Sequence, residues 1–377
     1  MSSTSKTILW IVVLGIIVWG GVAIHNRSSQ NGSASIKIGF VGPLTGDLAN
    51  MGANAQAATA IAVDEINAAG GVLGKKLEVV YEDDVCTGAG GANAVSKLLN
   101  TDKVSAVLGS VCSGATLGEA PITETAKVPQ LAYCATSPLI TKSGDYIFRD
   151  VPSDLFQAKY AADYLIKTGK KNVAVLTIKN DWGDGLHQAF TDSFTKAGGT
   201  IVLSDSFDPD AKDFKTLLTE IKAKNPDAIY FASYPDTTIT ALKQAHELGM
   251  KTQFFGSDAW DDTRIWSELG SLGDGAMYTV VGTHSSDDFK AKMKAKLGTD
   301  DLVYCSNYAY DGVKILAAAM NRAHSSAGIA VKDALYKTNY TGGVGSTELS
   351  FDENGDPTSA AYIIKLVKDG KAALMPQ

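Results

Sequence analysis

From residue 36 onward the chain alternates short apolar runs with longer helical ones, and the alternation begins again near residue 155. In the first round, "IKIGFVGPL" (36–44), "KLEVVYEDD" (76–84), "VSAVLGSV" (104–111), "VPQLAYCA" (128–135) and "YIFRDVP" (146–152) read as strands. Between them, "GANAQAATAIAVDEINAAGG" (52–71), the second half of 88–102 and "SGATLGEAPITETAK" (113–127) read as helices. Short apolar strands with helices between them indicate a parallel sheet covered on both faces. The second round has strands at 172–180, 200–207, 227–235 and 252–260, with helices at 155–169, 183–199, 213–225 and 237–249. In the helix at 213–225, Phe214, Leu217, Leu218 and Ile221 fall on one face. The expectation is an α/β chain of two doubly wound parallel-sheet lobes in series. Ligands of such sheets bind at the carboxyl ends of the strands, and two lobes let those ends face each other across a cleft.

Composition agrees with two folded lobes. The chain has 377 residues, 45% of them hydrophobic and 20% charged, enough for a sizeable core and unlike a disordered chain. A net charge of −7, with no cluster of Lys or Arg, argues against a nucleic-acid partner.

Ahead of the lobes stands "ILWIVVLGIIVWGGVAI" (8–24), uncharged, with Lys6 before it and Arg27 after it. As a helix it would span about 25 Å, at the short end of what a bilayer needs. No A-x-A arrangement follows and no cysteine is there for lipid attachment, so a retained anchor is expected over a cleaved signal segment. Lys6 favours an inside N-terminus, which puts the lobes outside the cytoplasm. Residues 1–35 are therefore an anchor or signal segment followed by the polar tether "HNRSSQNGSAS". Four cysteines (Cys86, Cys112, Cys134 and Cys305) include no C-x-x-C pair. Outside the cytoplasm they permit up to two bridges, with a connectivity that spacing does not determine.

What stands at the strand ends decides the chemistry. "VLGSVCSGAT" (107–116) places Cys112 and Ser113 between a strand and a helix. There the cysteine could serve as a nucleophile, half of a disulfide or a core thiol, and Ser113 as a helix cap or an anion ligand. "CATSP" adds the hydroxyls of Thr136 and Ser137. The second lobe offers Trp182, Tyr234, Asp258 and Trp260. Hydroxyls and amides on one side, with aromatics and a carboxylate on the other, suit an α-amino acid. Its carboxylate needs donors, its ammonium an anion, and its side chain apolar cover; hydrogen bonds to such charged groups are worth roughly 1.5–3 kcal/mol each. An enzyme is not expected. Of the five histidines, His25 lies in the tether, and His187 and His246 sit in helices that read as surface, so no convincing base serves Cys112. The segment does not match a G-x-S-x-G elbow, phosphate-loop glycine patterns are missing, and metal-ligand spacing is absent. No cofactor and no metal are implied.

Taken together, "IKIGFVGPLTG", "AVDEINAAGGVLGKKLEVVYEDDVC", "VLGSVCSGAT", "CATSP", "NDWGDGL" and "LKQAHELGMKTQFFGSDA" resemble, in order and spacing, the branched-chain amino-acid-binding proteins of ABC importers. The resemblance runs from about residue 36 to the end. It implies the type I periplasmic-binding-protein fold, whose lobes are joined by a three-crossing hinge. Crossings then fall near Pro152, Gly282 and Asp356, giving lobe 1 as 36–152 with 283–355 and lobe 2 as 153–282 with 356–377. The strand "AAYIIKLVKDG" (360–370) would return to the second lobe. Matched residue by residue, Ser113 and Thr136 would bind the ligand carboxylate, and the Cys134 carbonyl and Asp258 the ammonium. Tyr234 and Trp182 would cover the ligand, with Val111 and Cys112 bordering its side chain. Leucine-type members carry glutamate where this chain has Asp258, and tyrosine where it has Trp182 and Met51, so Met51 is counted with the site. The family also implies a Cys86–Cys112 disulfide; for Cys134 and Cys305 pairing, a reduced state and a place lining the site all stay open, with the reduced state favoured. The implied partners are a small-molecule amino acid, an ABC permease and its ATPase subunits, the membrane through the N-terminal helix, and no second copy of this monomer. Rival readings are a ligand-sensing ectodomain and a binding protein for an amide or urea-type ligand.

Overall fold

A computed structural model describes residues 35–299 and 302–375. The apolar segment 8–24 lies outside the described residues; among those described, no helix is long and apolar enough to cross a membrane. The first half of the chain runs β1 (Ile36–Gly42), α1 (Ala49–Ala68), β2 (Leu77–Asp83), α2 (Gly88–Lys97), β3 (Val107–Leu108), α3 (Ser113–Ala126), β4 (Gln130–Ala132) and β5 (Ile147–Arg149). It continues with α4 (Asp154–Lys167), β6 (Asn172–Ile178), α5 (Asp181–Lys196), β7 (Thr200–Phe207), α6 (Lys215–Lys224), β8 (Ala228–Ala232), α7 (Pro235–Glu247) and β9 (Gln253–Gly256). Then come α8 (Thr263–Leu269), β10 (Met277–Val281), α9 (Asp287–Leu297), α10 (Tyr304–Ala323) and α11 (Gly328–Leu335). A short hairpin, β11 (Tyr340–Thr341) and β12 (Glu348–Leu349), precedes β13 (Tyr362–Lys368) and β14 (Lys371–Leu374).

Two large sheets result. The first has the order β2-β1-β3-β4-β5, with every neighbouring pair parallel. In the second, β14-β13-β10-β9-β8-β6-β7, the five strands from β6 to β10 are parallel and repeat the first sheet's order when numbered from β6. The strand β6, for example, is buried at every residue but its first, so neither face is left for water. One correction concerns direction. The second sheet is not wholly parallel, because β13 runs antiparallel to β10 and β14 antiparallel to β13. Those two strands form a hairpin on Asp369 and Gly370, both at positive φ, and a two-residue turn of that kind can only join antiparallel strands.

Two further differences matter for the site. The predicted strand 104–111 pairs only at Val107–Leu108, since the chain leaves the sheet where Ser110 Oγ hydrogen-bonds the Asp84 carboxylate. The segment 283–355, in which the sequence reading assigned no elements, supplies α9, α10 and α11. Of these, α10 lies against α1 and reaches β3 and β4, so it belongs with the first sheet. Arg149, fully buried at the end of β5, holds the adjoining loop. Its guanidinium pairs with both Asp356 oxygens (2.6 and 2.7 Å) and donates to the carbonyls of Thr136 (3.1 Å) and Ser137 (2.9 Å).

Candidate functional site

In a doubly wound sheet of order 2-1-3-4-5, the connections leave in opposite directions from the first and third strands, opening a crevice at their carboxyl ends. Here that crevice occurs twice, at β1/β3 and at β6/β8, and the two face each other. Between them lies a cavity with about 290 Å3 of atom-free space, space open to solvent at its mouth included. Its first-sheet wall carries Leu48, Met51, Val111, Ser113, Cys134 and Thr136, and its second-sheet wall Trp182, Tyr234, Asp258 and Ala259. Tyr304, from the first turn of α10, completes the lining. Larger depressions lie elsewhere, one along residues 271–276, another beside Lys290 and Lys365 and a third at Pro152, Gly282 and Tyr308. None of the three gathers the ligand-site residues singled out from the sequence.

Each wall is set by local chemistry. Ser113 opens α3, but the cap position falls on Cys112 and makes no side-chain cap bond; Ser113 Oγ instead accepts from the Ser137 amide at 3.1 Å. That bond joins the loops that follow β3 and β4. A disulfide between Cys86 and Cys112, with Cα atoms 5.3 Å apart, braces the same turn from outside. Across the cleft, Asn180 caps α5 through the Gly183 amide at 2.8 Å. Gly183 sits so close to Ile178 that a Cβ would fall 1.8 Å from its carbonyl oxygen, and this seats the neighbouring Trp182. The Trp182 and Tyr234 rings stack at 5.1 Å and 11°. Asp258 follows β9, 3% exposed, and accepts from the Tyr304 hydroxyl at 2.5 Å and from Gln157 Nε2 at 3.3 Å. Burial pushes its carboxyl above the ordinary range, against the pull of those two donors. Asp154, entirely buried nearby, is pushed well up by burial and then by the charge of Asp258.

The two halves are in contact at the rim. Arg264 of α8 pairs with Asp236 at 2.8 Å and with the Asp47 side chain from the other half. Asn50 donates to Asp262 at 3.2 Å, and Ser137 Oγ to the Asp181 carbonyl at 2.9 Å.

Eight of the nine residues proposed from the sequence line one cavity; the exception is Cys112. Its sulfur is engaged by Cys86, which removes the thiol a nucleophile would need. The expectation of reduced Cys134 and Cys305 is corrected as well. They form a second disulfide, because α10 docks its first turn beside the end of β4 with Cα atoms 5.3 Å apart. Trp260 belongs to the core, donating to Ser233 at 3.1 Å among Phe231, Trp266 and Tyr278. His187 is not simply a surface residue, since its ring is held by Thr177 at 2.9 Å and Ser204 at 2.7 Å. Leu48, Ala259 and Tyr304 were missed. The available signal for Tyr304 was its place next to Cys305.

Two like-ordered sheets with their binding crevices opposed around a small buried cavity define a solute-binding protein of the clamshell kind. The family model for periplasmic binding proteins matches residues 35–371. A Leu/Ile/Val-binding protein, BraC3, of Rhizobium johnstonii is 30% identical over 90% of this chain and 93% of its own length. Among solved structures, the leucine-binding protein LivK of Thermotoga maritima is 28% identical with a TM-score of 0.84, over 90% of this chain and 98% of that one. The branched-chain amino-acid transporter substrate-binding protein LivJ of Streptococcus pneumoniae, solved with isoleucine, is 30% identical with a TM-score of 0.82 over the same shares. The chain belongs to the branched-chain amino-acid-binding proteins, within the periplasmic-binding-protein family.

Proposed function

We propose that this chain is the extracytoplasmic substrate-binding protein of an ABC importer, and that it takes an aliphatic amino acid between its lobes. The observation that carries the reading is the polarity of the cavity: Ser113 and Thr136 on one wall, and the buried Asp258 carboxylate on the other. An amino-acid carboxylate is served by the Ser113 and Thr136 hydroxyls with nearby amides, its ammonium by Asp258 and the Cys134 carbonyl. Trp182, Tyr234, Met51 and Val111 cover its side chain. A ligand with a carboxylate but no ammonium would leave Asp258 buried without a counter-ion, at a cost of several kcal/mol.

Closure is a hinge motion about three crossings, with lobe 1 as 36–152 and 283–355 and lobe 2 as 153–282 and 356–377. The crossings run side by side: the Gly282 amide donates to the Ala361 carbonyl at 2.8 Å, and the Tyr362 hydroxyl lies 3.4 Å from the Pro152 carbonyl. The ion pair of Asp356 with Arg149 of the first lobe supports a third crossing at that residue. Bound ligand bridges the lobes and favours the closed form, which a monomer then presents to a permease driven by ATPase subunits. Residues 8–24 would hold it on the outer face of the cytoplasmic membrane and raise its effective concentration at the permease.

Thermal unfolding of the full chain, screened against proteinogenic amino acids, amides with urea, and small aromatic acids, tests this reading. Binding raises apparent stability by RT ln(1 + [L]/Kd). Leucine, isoleucine or valine should raise the melting temperature most; a response confined to amides or aromatic acids would overturn the amino-acid assignment.

A further inference from the structure

Tyr304 stands on the first lobe's helix α10 while Asp258 stands on the second lobe, so their 2.5 Å hydrogen bond crosses the cleft. Both residues line the ligand cavity. The next residue, Cys305, is bridged to Cys134, which lines the same cavity. The tyrosine is thereby tied to the very loop that follows β4, and its position does not depend on side-chain packing alone. On the opposite side, Gln157 Nε2 holds the other Asp258 oxygen and is itself shared with the Thr279 carbonyl (3.2 Å) and hydroxyl (3.1 Å). These two side-chain donors, together with the backbone amides of Asp258 and Ala259, fix the orientation of the carboxylate.

We propose that Tyr304 is a positioning residue for ligand recognition, its hydroxyl aiming Asp258 at the ligand's ammonium and holding it in the charged form when the lobes close. This rests on the amino-acid reading above. The groups facing Asp258 explain why a donor is needed there. From α4 comes Asp154, itself pushed well up by burial and then by the charge of Asp258, with Arg149 offsetting part of that rise. From β8, the end of β8, α10 and β13 come the phenols of Tyr230, Tyr234, Tyr304 and Tyr362, each held protonated by burial. Among these, Tyr304 is the one whose hydroxyl bonds the Asp258 carboxylate. The bond can form only when the lobes are together, so it links closure to presentation of the charge.

The sign of the pH effect follows. Burial raises the Asp258 carboxyl above its ordinary value, and the Tyr304 hydrogen bond lowers it. Affinity for an ammonium-bearing ligand therefore falls as pH drops through the Asp258 titration, and removing the hydroxyl moves that fall to higher pH.

The test is calorimetric titration of the full chain and of Tyr304→Phe with L-leucine, L-isoleucine and L-valine between pH 5 and pH 8. Phenylalanine keeps the ring, and near-ultraviolet circular dichroism verifies that the variant is folded. At pH 7 we expect roughly tenfold to hundredfold weaker binding, the range for a lost hydrogen bond to a charged group, with the pH midpoint displaced upward. An equal loss at every pH, or no loss, would overturn the positioning role while leaving the amino-acid reading intact. Failure of the unaltered chain to bind any of the three at any pH would overturn both.

Discussion

Replacing Asp258 with alanine should abolish calorimetrically detectable binding of amino acids. The carboxylate is 3% exposed and lies on the cavity wall opposite Ser113 and Thr136. A ligand ammonium placed there is removed from water, and truncating one partner of a buried charge pair costs about 2–5 kcal/mol or more. That corresponds to a loss in affinity of roughly 30-fold to several thousandfold. Asp258→Asn separates charge from shape: the amide keeps the volume and a hydrogen-bonding oxygen for Tyr304, yet offers the ammonium no counter-charge. It should lose most of what alanine loses. Unchanged affinity in both variants would remove the ammonium assignment.

The second large effect is on stability. Cys134 and Cys305 are 171 residues apart in sequence and joined across the first lobe, whereas Cys86 and Cys112 are separated by 26. A bridge stabilises by restricting the unfolded chain, and the restriction grows with the logarithm of the loop. The short loop corresponds to about 3–4 kcal/mol and the long one to about 5 kcal/mol in that treatment. In guanidinium unfolding, the double replacement of Cys134 and Cys305 by alanine should cost more than the double replacement of Cys86 and Cys112. The reverse order would show that local bracing of the 109–113 turn outweighs loop closure.

Much of the site was legible before the fold was known, because strand ends are legible. A run such as "AVLGSV" must stop where glycine and hydroxyl residues begin, and in a doubly wound sheet the ligand sits at such stops. That logic, joined to the family resemblance, brought Ser113, Thr136, Trp182, Tyr234 and Asp258 to one cavity. Cys112 shows the limit of the approach. Neighbouring residues in an irregular turn point in different directions, so closeness to Ser113 in sequence did not make Cys112 part of the lining. Tyr304 was hidden for another reason. Every residue from Tyr304 to Val313 is buried, the polar Ser306, Asn307 and Asp311 included, so polarity in the first turns of α10 does not mark a solvent face. Trp260 and Trp182 look alike in sequence, each an aromatic four residues past a strand end. Only packing separates them: the first fills the core against Phe231 and Trp266, and the second stacks on Tyr234 at the cavity. The second disulfide is a property of tertiary packing too, since it requires α10 to dock beside β4.

The central claim is that the cleft recognises both charged ends of an amino acid, one on each lobe. Calorimetric titration of the full chain with L-leucine, L-leucinamide and 4-methylpentanoate tests it most directly. The amide removes the carboxylate and the fatty acid removes the ammonium, while the side chain is unchanged. Each analogue should bind at least about a hundredfold more weakly than leucine, as expected when buried partners of a charged group are left unpaired. Binding of either analogue as tight as that of leucine would contradict the account.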